Sequence, residues 1–198
     1  MKNNQQKKVA ILTEDGFEEE ELTSPKKALE EAGILVYIVS PRKKKVKAWK
    51  HDHWSIELPV DISLDEAREE HYDALVLPGG VMNPDQLRTN KKAVAFVSQF
   101  LDKQKTVAAI CHAPQLLIET GKLAGRNITS YPSLQTDLKN AGANWLDQEV
   151  VTDGSLITSR SPKDLDAFNE QLLQALQTDH NSDEPAADSV IYKYSQSM

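Results

Sequence analysis

Lys105-Thr-Val-Ala-Ala-Ile-Cys111-His112-Ala-Pro-Gln-Leu-Leu-Ile-Glu119 joins two patterns at a single residue. A short run of small and branched apolar residues leads into Cys111, and a helical pattern through Leu116, Leu117 and Ile118 begins straight after it. The reading is strand, sharp turn, helix. A side chain at such a turn is lifted above the carboxyl end of a buried strand and faces the first amides of the following helix. Those N–H groups and the helix dipole favour an anion, so a cysteine here is expected to ionise more easily than its free pKa of about 8.5 would allow. A lone cysteine more often just fills core space. The polarity switch at Cys111, with His112 beside it, favours a functional thiol.

The chain on either side repeats the strand-helix alternation. Val9-Ala-Ile-Leu-Thr13 reads as a buried first strand ended by Glu14-Asp15-Gly16. Phe17 to Ala32 reads as a helix with Phe17, Leu22, Ala28, Leu29 and Ala32 on its apolar side, stopped by Gly33, and Ile34 to Val39 is a second strand. Strand, helix and strand in about thirty residues make a βαβ unit, so the sheet is expected to be mostly parallel. Tyr72 to Leu77 is a third strand closed by Pro78-Gly79-Gly80, whose closely approaching backbone N–H groups are candidate oxyanion donors.

Between and after these, Ile62 to Glu70 is expected to hold a short helix with Ser63 and Glu66 as a capping box. Asn83 to Arg88 and Lys91 to Asp102 form a broken helix leading to the central strand, Thr106 to Ile110. Arg126 to Ser130 reads as a strand and Leu134 to Ala141 as a short helix. Glu149 to Ser159 reads as two strands around an Asp-Gly turn, and Pro162 to Gln177 as a closing helix capped by Ser161. The expected fold is a three-layer α/β/α sandwich over residues 8–178, with a polar segment at 1–7 and a disordered tail at 179–198. In that tail, Val190-Ile-Tyr-Lys-Tyr is a candidate docking segment.

Composition narrows the functional classes. The 198 residues, 39% of them hydrophobic, suffice for one domain with a sizeable core. A net charge of −7 argues against general nucleic-acid binding. One cysteine cannot form an internal disulfide, and the polar start is followed by too short an apolar run for a signal peptide or membrane span. A soluble cytoplasmic protein is the expectation. The basic segment from Pro41 to Trp54 reads as a solvated hairpin edged with lysine; His51 and His53 around Asp52 could ligate a metal, but no third ligand is evident.

Taken together, Asp15-Gly-Phe-Glu18-Glu, Asp73 to Gly80, Ala109 to Leu117 and Glu149 through Ser159-Arg-Ser-Pro resemble the PfpI family of intracellular protease- and amidase-like proteins, over about Val9 to Leu176. That superfamily includes the Parkinson-disease protein deglycase and has the class I glutamine amidotransferase-like, flavodoxin-like α/β sandwich. The resemblance implies that Cys111 is the elbow nucleophile, His112 its neighbouring acid or base, and Glu18 the acid reaching the sulfur. It implies that Asp85 is an acid offered to a neighbouring subunit, and that the backbone at Gly79, Gly80 and His112 forms the oxyanion hole. It also implies a homodimer or larger oligomer acting without metal or organic cofactor on small aldehydes, early glycation adducts or peptides. Because neighbours on a helix do not face each other, Cys111 and His112 can pair only across a strained elbow. A thiol-based redox sensor and a chaperone-like binding protein are the competing classes.

Overall fold

The computed structural model describes residues 6–178. Its backbone is an alternation of strands and helices: β1 (Lys8–Leu12), β2 (Phe17–Glu18), α1 (Glu19–Glu31), β3 (Leu35–Ser40), β4 (Lys45–Lys50), β5 (His53–Pro59), β6 (Ile62–Ser63) and β7 (Ala74–Leu77). There follow α2 (Met82–Thr89), α3 (Lys91–Asp102), β8 (Thr106–Ile110), α4 (Pro114–Ile118), β9 (Asn127–Ile128), α5 (Gln135–Asn140), β10 (Asn144–Trp145), β11 (Val150–Asp153), β12 (Leu156–Ser159) and α6 (Leu165–Thr178).

The main sheet has the order β11-β12-β8-β7-β1-β3-β6. All its pairings are parallel except the β11–β12 edge. The parallel strands β3, β1, β7, β8 and β12 therefore follow the flavodoxin-like order, with its reversal between β1 and β7. Strands buried on both faces carry continuous apolar runs, and β8 is buried at all five positions. Alternation along them feeds two separate cores. Val9, Ile11, Ala74, Val76, Ala108 and Ile110 pack with Leu22 and Leu29 of α1 and Phe168, Leu172 and Leu176 of α6. Leu12, Leu75, Leu77, Val107 and Ala109 face the other way, toward Phe96, Phe100, Leu116 and Leu138. The result is the expected three-layer α/β/α sandwich.

The hairpin of β4 and β5 forms a second sheet with β2. It docks on the β1–α1 loop: the Lys47 N–H donates to Asp15 Oδ1 at 2.8 Å and Gly16 N–H donates to Lys47 O at 2.8 Å. Arg42 clamps the same loop, its Nε 2.8 Å from Glu14 Oε1 and its guanidinium 3.2 Å from Asp15 Oδ2. Trp49 packs edge-on against Trp54 at 5.2 Å across a register shift between Lys47 and Trp49.

Several local expectations are corrected. Phe17 pairs with Ala48 in β2 and is not part of the helix. Ile62 to Glu70 is not a helix: Ile62 and Ser63 extend the main sheet beside Val39 and Ser40, which satisfies their backbone, and Ser63 Oγ simply donates to Glu66 Oε2 at 2.8 Å. Of Arg126 to Ser130 only β9 is a strand, and it pairs with β10 outside the main sheet. Asp153 lies inside the β11–β12 ladder opposite Leu156, so Gly154 and Ser155 make the turn. Ser161 forms no side-chain cap, because a 3₁₀ turn at Pro162–Asp164 precedes α6. The expected tail at 179–198 and residues 1–5 lie outside the described residues. Among the described residues no helix is long and apolar enough to cross a membrane.

Phe168 is fully buried on the α6 face. Truncating such a ring costs about 3–5 kcal/mol, so Phe168→Ala is expected to lower the melting temperature by on the order of 10 °C in a calorimetric scan.

Candidate active site

Cys111 ends β8 with φ of +63°, a left-handed conformation that non-glycine residues rarely adopt. Neighbouring backbone holds it there: its N–H donates to Ser159 O at 3.0 Å, and its carbonyl accepts from the Tyr131 N–H at 2.8 Å. This bend swings the next side chain back, leaving His112 Nδ1 3.2 Å from Cys111 Sγ. The pairing that needed a strained elbow is therefore made. The dipole expectation fares less well, because α4 is only five residues long. Individual N–H groups, those of Gly80 and His112, point at the sulfur instead.

The carboxyl against the sulfur belongs to Glu21, which corrects the expectation for Glu18. Glu21 is fully buried one turn into α1, and its Oε2 accepts from the N–H groups of Gly79 at 2.9 Å and Gly80 at 3.2 Å. Oε1 is buried without a nitrogen or oxygen partner, and the carboxyl shares a hydrogen bond with the Cys111 thiol. Glu18 instead precedes the helix, beside the cleft, where burial raises its carboxyl and the His51 backbone N–H counters that. Four consecutive acids, Glu18 to Glu21, hide the difference in sequence. The usable signal was spacing: Glu21, Pro25 and Leu29 recur every four residues and share the buried face of α1.

Burial pushes Glu21 up to about 8 from its usual value near 4.5, so at neutral pH it is mainly an un-ionised acid and a donor. Burial, followed by the charge Glu21 carries when ionised, holds the Cys111 thiol well above the ordinary range. The easily ionised thiol expected from the helix dipole is thereby overturned, because desolvation outweighs the two backbone donors. Burial also holds the His112 imidazole below its usual range, so it is neutral. A raised thiol beside a neutral imidazole suits proton removal during attack, not a standing ion pair.

The glycine turn after β7 leaves no space for side chains. A Cβ on Gly79 would lie 2.5 Å from Glu21 Oε2 and 2.7 Å from both Cys111 Cβ and Ile110 O. Buried Asn83 fixes this turn, its Nδ2 donating to Pro78 O at 2.7 Å and Gly79 O at 3.1 Å while Oδ1 accepts from the Glu14 N–H at 2.7 Å. Of the expected oxyanion donors, the Gly79 N–H is spent on Glu21. The Gly80 N–H is divided between Glu21 and the sulfur, and the His112 N–H faces the sulfur. Asp85 is exposed on α2 and does not line its own chain's cleft.

Above the sulfur opens a cleft of about 390 Å³ walled by Glu18, Trp49, His51, Met82, Tyr131 and Pro162. Tyr131 stacks on the His112 ring at 4.5 Å, and Ser133 Oγ lies 3.3 Å from His112 Nε2; neither residue was singled out from the sequence. His51 reaches the cleft from the hairpin turn, whereas His53 bonds Asp52. Among the described residues no group of three or more His, Cys, Asp or Glu is arranged to hold a metal ion.

A carboxyl held above its usual value binds its proton more tightly in the folded chain. Its contribution to stability is intact below about pH 4.5 and is lost as pH rises through about 8. Glu21→Gln is expected to match the wild-type melting temperature near pH 5 and to exceed it increasingly toward pH 9. The gain is about 1.4 kcal/mol for each unit of the upward shift. Melting temperatures of both proteins across that range check this.

The DJ-1/PfpI family profile matches residues 7–175. YraA of Bacillus subtilis, whose name assigns it provisionally to the cysteine proteases, is 43% identical over 170 residues, covering 86% of this chain and 98% of its own. Deglycase TK1284 of Thermococcus kodakarensis is 44% identical over 169 residues, covering 85% of this chain and 99% of its own. A solved two-domain protein of Anabaena variabilis, with DJ-1/ThiJ/PfpI-like and ferritin-like domains, superposes with a TM-score of 0.82 at 40% identity. The match covers 87% of this chain and 48% of that one. The similarity spans the strand, elbow and acid described above, and the chain belongs to the DJ-1/PfpI family.

Proposed function

We propose that the protein is a cysteine-dependent enzyme that attacks the electrophilic carbonyls of small aldehydes and early glycation adducts. The observation that carries this reading is Cys111 Sγ at the floor of an open cleft, 3.2 Å from a neutral imidazole and hydrogen-bonded to a buried, un-ionised carboxyl. As the sulfur lone pair adds to the aldehyde carbon, the S–H bond breaks and its proton passes to His112 Nδ1. The carbonyl oxygen gains the electron pair and is reprotonated, giving a hemithioacetal. Glu21, a neutral acid beside the sulfur, holds a hydrogen bond to it throughout and is placed to return a proton.

With a 2-oxoaldehyde, moving the hydrogen from the aldehyde carbon to the adjacent carbonyl carbon converts the hemithioacetal to a thioester. Water then releases the 2-hydroxy acid and regenerates the thiol. The aldehyde carbon is oxidised and its neighbour reduced, so no external oxidant enters. Amide hydrolysis is the second reading, favoured by the protease-type name of YraA; it needs the same nucleophile but an amine leaving group.

Steady-state consumption of methylglyoxal, with lactate as product, and release of free amine from a methylglyoxal-treated amino acid test the proposal without added metal or glutathione. Cys111→Ser is expected to lose at least about 100-fold and Glu21→Gln about 10-fold in kcat/KM, in a range common for a nucleophile and its acid partner. Wild type inactive on both substrates, or Cys111→Ser fully active, would sink the reading.

A further inference from the structure

The imidazole of His112 is held by one loop of its own chain, Ser130-Tyr131-Pro132-Ser133. This loop is tied down at several points. The Tyr131 N–H donates to the elbow carbonyl of Cys111 at 2.8 Å, Trp145 Nε1 donates to Ser130 Oγ at 3.0 Å, and the Leu134 N–H donates to Tyr131 O at 3.0 Å. From that anchored turn the Tyr131 ring covers one face of the imidazole at 4.5 Å, and Ser133 Oγ sits 3.3 Å from Nε2.

A neutral imidazole carries one proton, on one of two nitrogens. Nδ1 faces the thiol at 3.2 Å and can take its proton only if it is bare. The proton must then be on Nε2, and the group there to accept it is the Ser133 hydroxyl. We infer that Ser133 is the positioning residue of the Cys111–His112 pair, selecting by its contact with Nε2 the tautomer in which Nδ1 serves as base. The inference rests on the proposed cysteine attack. When the S–H bond breaks and its proton moves to Nδ1, the imidazolium still donates from Nε2 to Ser133 Oγ. The developing positive charge is thus met without any ring rotation. Ser133 itself is exposed, so its second lone pair and its own proton stay with solvent.

The orientation of His112 is therefore complete within one chain. A serine is a weaker partner than a carboxylate, and it avoids placing another negative charge near a thiol that must become anionic. Tyr131 contributes a second restraint, since a stacked ring opposes the flip that would exchange the two nitrogens.

Long-range ¹H–¹⁵N correlation on the uniformly labelled full chain reads the tautomer directly, with His112→Asn assigning the signals. Wild type near pH 7.5 is expected to have a bare Nδ1 and a protonated Nε2, and Ser133→Ala a mixture of the two forms. In the same variant the alkylation rate of Cys111 by iodoacetamide should fall about 10-fold, and kcat should fall similarly with KM unchanged. Ser133→Thr should restore all three. The alkylation and the spectra need no assigned substrate, so they decide this inference even if the aldehyde reading fails. A protonated Nδ1 in wild type, or Ser133→Ala with wild-type tautomer and alkylation rate, overturns it.

Discussion

A carboxyl group without water holds this site together. Glu21 is buried in α1, yet its oxygen is bonded by the turn after β7 and its acid proton faces the elbow after β8. Three segments that are distant in sequence meet at this one group. Each part depends on the others. The N–H groups of Gly79 and Gly80 converge on Glu21 because Asn83 holds their turn from behind, and Glu21 can approach because Gly79 has no Cβ. Removing water from the carboxyl is unfavourable for its charge and favourable for its proton, and that balance makes it a donor at neutral pH.

The elbow is the second element of the same construction. A left-handed residue at the end of a buried strand costs on the order of 1–3 kcal/mol, and the surrounding ladder of β12, β8 and β7 is rigid enough to impose it. What the strain achieves is directional. Neighbouring residues ordinarily diverge, but here the sulfur and the imidazole point into the same cleft.

Much of this architecture was legible in the chain. Continuous apolar runs ending in glycine or cysteine marked β1, β7 and β8 and their parallel packing, because strands buried on both faces need no polar alternation. Cys111 and His112 were recognisable from the switch of period between strand and helix. Glu21 was not, since four adjacent glutamates offer the same chemistry and only the helix register decides which one is buried. Register in turn depended on Phe17 and Glu18 pairing with β4, a contact that spans some thirty residues and leaves no local mark. Ser133 and Tyr131 were hidden for a related reason. They act through a loop whose path is fixed by β9, β10 and Trp145, which propensity does not encode. The raised thiol also ran against the sequence expectation, because a dipole is visible in a pattern whereas the loss of water appears only once the layers close.

The cleft is built from two sources that barely overlap. Its floor comes from the ends of β7 and β8 and from α1, all locked into the main sheet, while Trp49 and His51 arrive on a hairpin belonging to a separate small sheet. That hairpin is fastened to the rest chiefly through the Gly16 and Asp15 backbone links and the Arg42 clamp. Floor and wall can therefore diverge at different rates: the reacting atoms are constrained by close packing, whereas the surface that meets the remainder of a substrate is a replaceable part. Grafting hairpins of other lengths and sequences between β3 and β6 would be a route to new selectivity on an unchanged nucleophile.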